Sequence, residues 1–192
     1  MKTMKRIVFL VLLSLTVSWA SPSEARQGFA IGLGPVGNIY LIDTLPIMDP
    51  GIGGHVFFNY RFAQQFAFET SFLVTTQSGA NVSKGDNGIL FLGMPTFDLK
   101  YYFRKNDPRF DPFAAIGLGL YWLTEGSTGN STGGLGLGAQ LGLGFDYYVT
   151  DVISLGFEGM FRSIGLITNF GTPSASTAIF PFSLQGNVAF HF

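Results

Sequence analysis

Acid–base or nucleophilic chemistry in this chain would depend on its two histidines, His55 and His191, because the sequence contains no cysteine. A hydrolytic site needs a nucleophile and a base within hydrogen-bond reach, and a third group that orients the base. No serine stands two residues after either histidine, and their segments predict that the two lie at opposite ends of the fold. The most favourable combination would join His55 to a serine and to Glu69 or Glu158. We therefore expect no catalytic residues.

A glycine pattern at Gly32, Gly34 and Gly37 matches the dinucleotide-binding fingerprint G-x-G-x-x-G. That fingerprint requires a helix that opens at the loop and an acidic residue about 20 positions later. Here Pro35 interrupts the pattern, and residues 52–62 contain no acid. We expect no cofactor and no metal site, since thiolate ligands are absent as well.

Charged side chains that alternate with apolar ones form a second chemically distinctive group. If the segments that hold them are β-strands, the charges share one face and the apolar residues share the other. Burial of isolated charges is costly, so the shared polar face should be a paired, hydrogen-bonded network. The predicted members of this network are Arg61, Glu69, Asp98, Lys100, Asp146, Glu158 and Arg162.

Eight alternating segments can be counted, and the last of them carries an apolar or glycine residue at every second position up to Phe192. On the fourth segment, Phe91 and Phe97 are expected to share the apolar face. The predicted strands are residues 28–40, 52–62, 66–74, 89–103, 113–123, 135–149, 153–161 and 182–192.

The connections between these segments differ in length. Short links are predicted around Gln64, at residues 106–111 and at residues 150–151. The other four connections are generally longer and rich in small polar residues, and they are predicted at residues 43–50, 76–88, 124–134 and 163–176. Six inward glycines on the fifth and sixth segments are expected to make room for the arginines opposite.

The first 25 residues have the layout of a secretory signal peptide. Basic residues precede an apolar run at residues 7–19, and small residues follow, with cleavage expected after Ala20 or Ala25. Residues 1–25 are therefore predicted to be removed, and residues 26–192 to form one domain.

The composition of the remaining chain indicates a membrane protein that crosses with strands. Charged residues make up 12% of the sequence, against about 25% in ordinary soluble domains. After residue 19 no apolar stretch is long enough for a transmembrane helix. Only helices and closed barrels satisfy their backbone polar groups in lipid, so the pattern favours a barrel. Residues 26–192 carry 8 basic and 11 acidic side chains, which gives no reason to expect nucleic acid binding.

Three features are similar to a known family: the hairpin at residues 144–158, the segment at residues 111–119 and the aromatic C-terminus. They resemble the small outer-membrane β-barrels of the OmpA transmembrane-domain and OmpX type. The resemblance implies an all-β fold, an eight-stranded antiparallel up-and-down barrel in the bacterial outer membrane. It also implies that Phe192, with Phe190, belongs to the signal read by the barrel-assembly machinery.

An eight-stranded barrel is just wide enough inside for side chains to fill. We therefore expect a non-enzymatic structural or surface-interaction protein with a filled lumen and four extracellular loops. Short turns at one end and longer connections at the other predict periplasmic N- and C-termini. The expected partners are outer-membrane lipid and lipopolysaccharide, the assembly machinery and an extracellular ligand bound by the loops. A narrow ion channel and a lipid-modifying enzyme are the alternatives.

Overall fold

The chain folds into eight antiparallel strands that close into a single barrel. The structure, a computed structural model, describes residues 27–43, 49–77, 89–103, 109–127, 130–169 and 177–192. The predicted signal peptide at residues 1–25 lies outside these described residues. The strands are β1 (Gly28–Asp43), β2 (Gly51–Ala63), β3 (Phe66–Gln77), β4 (Ile89–Tyr102), β5 (Phe110–Ser127), β6 (Asn130–Tyr148), β7 (Ile153–Asn169) and β8 (Thr177–His191).

Each strand pairs with the next one along the chain, and β1 pairs with β8 to close the barrel. At this closing seam Ile31 lies opposite Phe190, and the backbones of Phe29 and Phe192 exchange hydrogen bonds of 3.0 and 2.9 Å. Closure leaves no open strand edge, which is the condition for a sheet that is surrounded by lipid. The predicted eight-stranded up-and-down topology is confirmed.

The two faces of the strands differ in polarity, as the alternation predicts. Outward residues are large and apolar, for example Leu118 with 66% of its surface exposed, whereas inward Arg162 is 1% exposed. The outer wall is thus apolar and the lumen is filled with both polar and aromatic side chains. We call the end of the barrel that holds Gly28 and His191 the terminal end, and the opposite end the loop end.

The prediction for Phe91 is wrong. Phe97 is exposed on the outer wall, but Phe91 is 0% exposed and lies in the lumen. The register between β4 and β5 shifts between Gly93 and Thr96, and such a bulge inserts one extra residue, so residues on its two sides with the same parity point to opposite faces. The bulge contains the cis bond between Met94 and Pro95, and Pro95 cannot donate a ladder hydrogen bond.

The predicted connection at residues 124–134 is also wrong. Strand β5 continues to Ser127 and β6 begins at Asn130, and these two residues form the last pair of the hairpin. Backbone pairing continues here through glycine and small polar residues, where the apolar alternation has ended. Strands β7 and β8 also extend beyond their predicted loop-end limits.

Among the described residues, no helix has the length and apolar character needed to cross a membrane.

Candidate functional site in the barrel lumen

The seven charged residues singled out by the sequence all lie on inward positions of their strands. Six of them are buried, and Asp146 is half-buried and accepts a 3.0 Å hydrogen bond from the hydroxyl of Tyr102. They do not form one cluster. They divide into groups at successive depths between the terminal end and the loop end.

Arg61 lies near the terminal end, because it stands two residues before the end of β2. Its guanidinium pairs with Asp111 at 2.8 Å, lies 3.9 Å from the ring centre of Tyr102 and donates from Nε to the backbone carbonyl of Gln64 at 3.0 Å. Asp111 was predicted to end a connection, whereas it lies on β5 with its side chain buried. Asp111 stands two positions before the inward residue Phe113, and this spacing was the signal that could have placed its side chain in the lumen.

Lys100 lies farther from the terminal end than Arg61 and contacts two carboxylates. Its Nζ is 2.8 Å from Oε2 of Glu69 and 3.4 Å from Oε2 of Glu158. The amide of Asn59 also donates to Glu69 at 3.0 Å. The ammonium lies 4.4 Å from the ring centre of Phe113. Strands β2, β3, β4, β5 and β7 all contribute to this group, so it ties together opposite sides of the barrel.

Arg162 lies near the middle of the lumen and uses neutral partners. Its Nε donates to Oε1 of Gln140 at 3.0 Å, and its Nη1 donates to the hydroxyl of Ser183. Ser183 donates in turn to Asn38, whose amide donates to Thr75 at 2.8 Å. These side chains come from β7, β6, β8, β1 and β3.

Gln140 extends this chain of hydrogen bonds to two more strands, β4 and β5. Its amide nitrogen lies 2.6 and 2.7 Å from the two carboxylate oxygens of Asp98 on β4, and its carbonyl accepts from the hydroxyl of Tyr121 on β5. We call this chain of side chains from Thr75 to Asp98 and Tyr121 the polar belt. The polar belt connects seven strands across the lumen. Of its members, only the charged residues were predicted to belong to a network.

Two apolar layers separate the polar groups. The terminal-end layer consists of Ala67, Tyr102, Phe113, Ala115 and Met160. The loop-end layer consists of Leu73, Phe91, Tyr121, Ile164 and Ile179, with Tyr40 and Leu123 packed against it. Tyr121 belongs to both the loop-end layer and the polar belt, because its ring stacks on Phe91 while its hydroxyl reaches Gln140.

The inward glycines of β5 and β6 do not serve the arginines, so that expectation is wrong. A Cβ added at Gly117 would approach Asp98 at 2.1 Å, and one added at Gly142 would approach Met160 at 2.9 Å. The space at the other four positions is taken by Thr96, Tyr121, Ile164, Leu166 and Phe113 and by backbone carbonyls. The glycines therefore leave room for side chains of the apolar layers and for the side chain of Asp98.

Acidic groups outnumber basic ones in the lumen. Among the described inward residues three are basic, and five are acidic because Asp111 joins the four predicted carboxyl groups. Glu69 lies directly opposite Asp98 in the pairing of β3 with β4. Like charges directly opposite each other destabilise a sheet, so Lys100 has to compensate more than one carboxylate.

The two histidines lie at different levels of the barrel, because His55 is opposite Gly34 of β1 and His191 is opposite Ala30, four positions nearer the terminal end. His55 is buried and stacks on Phe57, and its Nδ1 has no hydrogen-bond partner in the described part of the chain. Both glutamates considered for a site with His55 contact Lys100 instead.

The structure does bring His191 to Ser154, whose hydroxyl lies 2.8 Å from Nε2. Ser154 is 0% exposed, so a substrate carbonyl cannot reach its oxygen. The described residues contain no group of three or more potential ligands that could hold a metal ion.

The comparisons with known proteins agree with this architecture. The family described as outer membrane protein beta-barrel domain matches residues 7–185. No curated protein matches the chain in sequence.

Several solved outer-membrane barrels share the fold. Neisserial surface protein A is 14% identical and superposes with a TM-score of 0.69, covering 86% of this chain and 98% of its own. OprG from Pseudomonas aeruginosa is 16% identical with a TM-score of 0.58, covering 86% and 96%. Ail of Yersinia pestis is 12% identical with a TM-score of 0.56, covering 86% and 99%. These structures share the fold, and the match of the family model over residues 7–185 shows that the chain belongs to the outer membrane protein beta-barrel family and is an integral protein of the bacterial outer membrane.

Proposed function

We propose that this protein is a non-enzymatic outer-membrane barrel of structural or surface-interaction type, whose lumen is closed by its own side chains. The observation that carries the proposal is the polar belt together with the loop-end layer that covers it. The polar side chains of the belt hydrogen-bond to side chains of other strands. On the loop-end side of the belt, the rings of the loop-end layer fill the lumen with apolar atoms.

A hydrated ion that crossed the lumen would have to break this arrangement at two levels. It would displace the stacked rings of Phe91 and Tyr121, and it would then separate Arg162 from Gln140. Both steps have a cost, because the groups freed by the ion would be left buried without partners. A filled lumen is also expected from the diameter of an eight-stranded barrel. These points favour a closed barrel over a narrow channel.

The loop end is proposed to be the surface that faces the outside of the cell, with both termini in the periplasm. Strands of about 9 to 11 residues suffice to span a membrane, whereas β5 and β6 contain 18 and 19 residues. At the terminal end only residues 149–152 separate β6 from β7, so the surplus length belongs to the loop end. Segments on a rigid scaffold commonly carry binding functions.

The lipid-modifying enzyme remains the less favoured alternative. Nucleophilic catalysis requires a nucleophile that a substrate can approach. The serine–histidine pair of Ser154 and His191 fails this requirement because the serine is enclosed. Comparing lipid A from cells with and without the gene by mass spectrometry tests this alternative, and we expect identical spectra.

Conductance in planar bilayers tests the closed lumen. We expect no unitary current steps from the purified wild-type barrel. A Phe91→Gly, Tyr121→Gly double variant removes both stacked rings and leaves only the polar belt across the lumen, so it should show more frequent current steps than wild type, whereas Phe97→Gly on the outer wall should behave as wild type. Steady unitary steps from the wild-type protein would overturn the proposal.

Surface interaction is tested with intact cells. We expect deletion of residues 125–132, which shortens the β5–β6 hairpin, to reduce adhesion to host-cell or phage surfaces without reducing the amount of barrel in the membrane. Shortening of the periplasmic side at residues 149–152 serves as the control. Unchanged adhesion after each loop-end connection has been shortened in turn would contradict the surface role.

Assembly is proposed to depend on the end of β8, with Phe190 and Phe192 read by the assembly machinery. Both rings are exposed on the outer wall, and Phe192 stacks at 6.4 Å on Phe29 across the closing seam. We expect removal of Phe192 to reduce the amount of folded barrel in outer-membrane fractions. Phe110→Ala, which removes another exposed ring from the terminal end, should leave that amount unchanged. Normal insertion without Phe192 would refute this role.

A further inference from the structure

A groove crosses the outer wall of the barrel over strands β1 to β4. It has a volume of about 560 Å³, and its lining includes backbone or side-chain atoms of Leu33, Gly34, Gly54, His55, Val56, Phe72, Leu73, Val74, Leu92 and Met94. We propose that this groove binds a single acyl chain of a membrane lipid and holds it against the barrel. The site is on the outside of the barrel and does not depend on whether the lumen is closed.

Gly54 forms the floor of the groove. It occupies an outward position of β2 between the exposed residues Ile52 and Val56, so a side chain is missing where the alternation would otherwise place one. A Cβ added at Gly54 would lie 3.5 Å from its nearest neighbour, the carbonyl oxygen of Gly34. That is an ordinary contact, so the depression is open space rather than a point of close backbone approach.

The rim is formed by exposed apolar side chains on the four strands. Leu33 and Val56 lie opposite each other on β1 and β2, and Val56 lies opposite Phe72 on β3. Met94 completes the rim from β4, at the bulge where the register with β5 shifts. The groove thus depends on two local features, a missing side chain at Gly54 on β2 and the register shift in β4, on the other side of β3.

The occupant follows from the surroundings of the groove. The rim is continuous with the apolar wall of an integral outer-membrane protein, whose neighbours are lipid chains. An apolar depression without polar partners does not retain water, and a depression left empty would lose the dispersion contacts of its lining. A flexible acyl chain can follow a groove that runs across four strands.

The position of the groove also selects a leaflet. Gly54, Val74 and Leu92 all stand within four residues of the loop-end limits of their strands. The acyl chain is therefore supplied by the leaflet on the loop side.

The experiment compares wild type with Gly54→Leu, which fills the groove, and with Gly165→Leu as the matched control. Gly165 is also an outward glycine in the loop-end half of its strand, and a Cβ added there would have its nearest neighbour, the carbonyl oxygen of Leu137, at 4.0 Å. Each protein is reconstituted in phosphatidylcholine vesicles with phosphatidylcholine that carries a nitroxide near the end of one acyl chain. Electron paramagnetic resonance then measures the number of motionally restricted chains per barrel.

We expect wild type and Gly165→Leu to restrict the same number of chains, and Gly54→Leu to restrict one fewer. Equal numbers for all three proteins, or an equal loss in both variants, would overturn the proposal. A wild-type dimer in vesicles that Gly54→Leu converts to a monomer would also overturn it, because a second copy of the chain would then occupy the groove.

A measurement on the wild-type protein keeps the proposal testable if Gly54→Leu does not fold. Methyl groups of Val56 and Met94 should show nuclear Overhauser effects to lipid methylene protons, and these contacts should last longer than those of Leu118, which lies on β5 outside the groove. Contacts of the same lifetime at all three methyl positions would contradict a bound chain.

Discussion

Around Lys100 the lumen is filled by paired charges, whereas around Phe91 it is filled by apolar rings. Lys100 contacts Glu69 and Glu158 at 2.8 and 3.4 Å. Phe91 stacks on Tyr121 with a distance of 5.7 Å between ring centres. The inward face of the strands is therefore held by ion pairs around Lys100 and by ring packing around Phe91.

The difference indicates separate roles for ion pairs and for aromatic rings in a narrow barrel. Removing one partner of a buried ion pair is costly, so we expect these pairs to favour the observed arrangement of strands across the lumen. Rings exclude water but tolerate alternative packing partners. The polar belt around Arg162 lies between the two regions and uses mostly neutral donors and acceptors. Within the described part of the chain, the charge of Arg162 is thus buried without a carboxylate in direct contact with it.

The largest effect is expected from Lys100→Met. This change leaves Glu69 and Glu158 buried without their shared cation, and it should lower the free energy of unfolding by roughly 3 to 5 kcal/mol. Urea titration of the barrel in phospholipid vesicles measures the loss. Adding Glu158→Gln to the variant should recover part of it. A loss below about 1 kcal/mol would show that the charged region does not hold the strands together.

Phe91→Ala tests the apolar region and the bulge in β4 together. It should cost roughly 3 kcal/mol, because it leaves a cavity in the loop-end layer. Phe97→Ala on the same strand should cost less, because lipid chains fill the space on the outer wall. Equal losses in the same urea titration would mean that both rings share one face, as the simple alternation predicted.

Tyr121→Phe separates the two roles of the residue that joins the apolar layer to the polar belt. The ring stays, and the hydrogen bond to Gln140 is lost, so we expect a loss of about 1 kcal/mol in unfolding free energy. Gln140 still accepts from Arg162 in this variant. A loss as large as that of Phe91→Ala would indicate that the hydroxyl, rather than the ring, dominates the loop-end half.

The smallest effect is expected from Asp98→Asn. Asp98 lies opposite Glu69, and the lumen contains more acidic than basic groups. Removing this charge while keeping the shape should change the unfolding free energy by about 0.5 kcal/mol or less, or increase it. Glu69→Gln is the matched control, and it should destabilise the barrel because it weakens the contact with Lys100. A large loss in Asp98→Asn alone would contradict the expected repulsion between Asp98 and Glu69.

Much of the wall was predictable because it depends on local geometry. Successive side chains of a strand alternate in direction, so Leu118 and Arg162 could be assigned to their faces without knowledge of their neighbours. The assignment failed at Phe91, because one extra residue at the bulge reversed the faces. It also failed at residues 124–134, where backbone pairing continues although the side chains carry no apolar pattern.

The partners of the luminal residues were less predictable. Ser183 donates to Asn38 across 145 positions of sequence, a contact that exists only because β8 closes on β1. Gln140, Thr75 and Asn38 carry no charge, so nothing in their type distinguished them from other inward polar residues. The groove was not predictable for a similar reason. Gly54 forms its floor only because three other strands lie around it in the barrel.

The sequence by itself determined the class of the fold. Its alternation with a period of two, its few charged residues and the absence of a long apolar stretch allow only a closed barrel in lipid, because backbone polar groups have no water to bind there. Tertiary structure alone decided which charges meet, where the rings stack and where the wall is indented. These features depend on the register and closure of eight strands, and a shift of one residue in a register changes every contact beyond it.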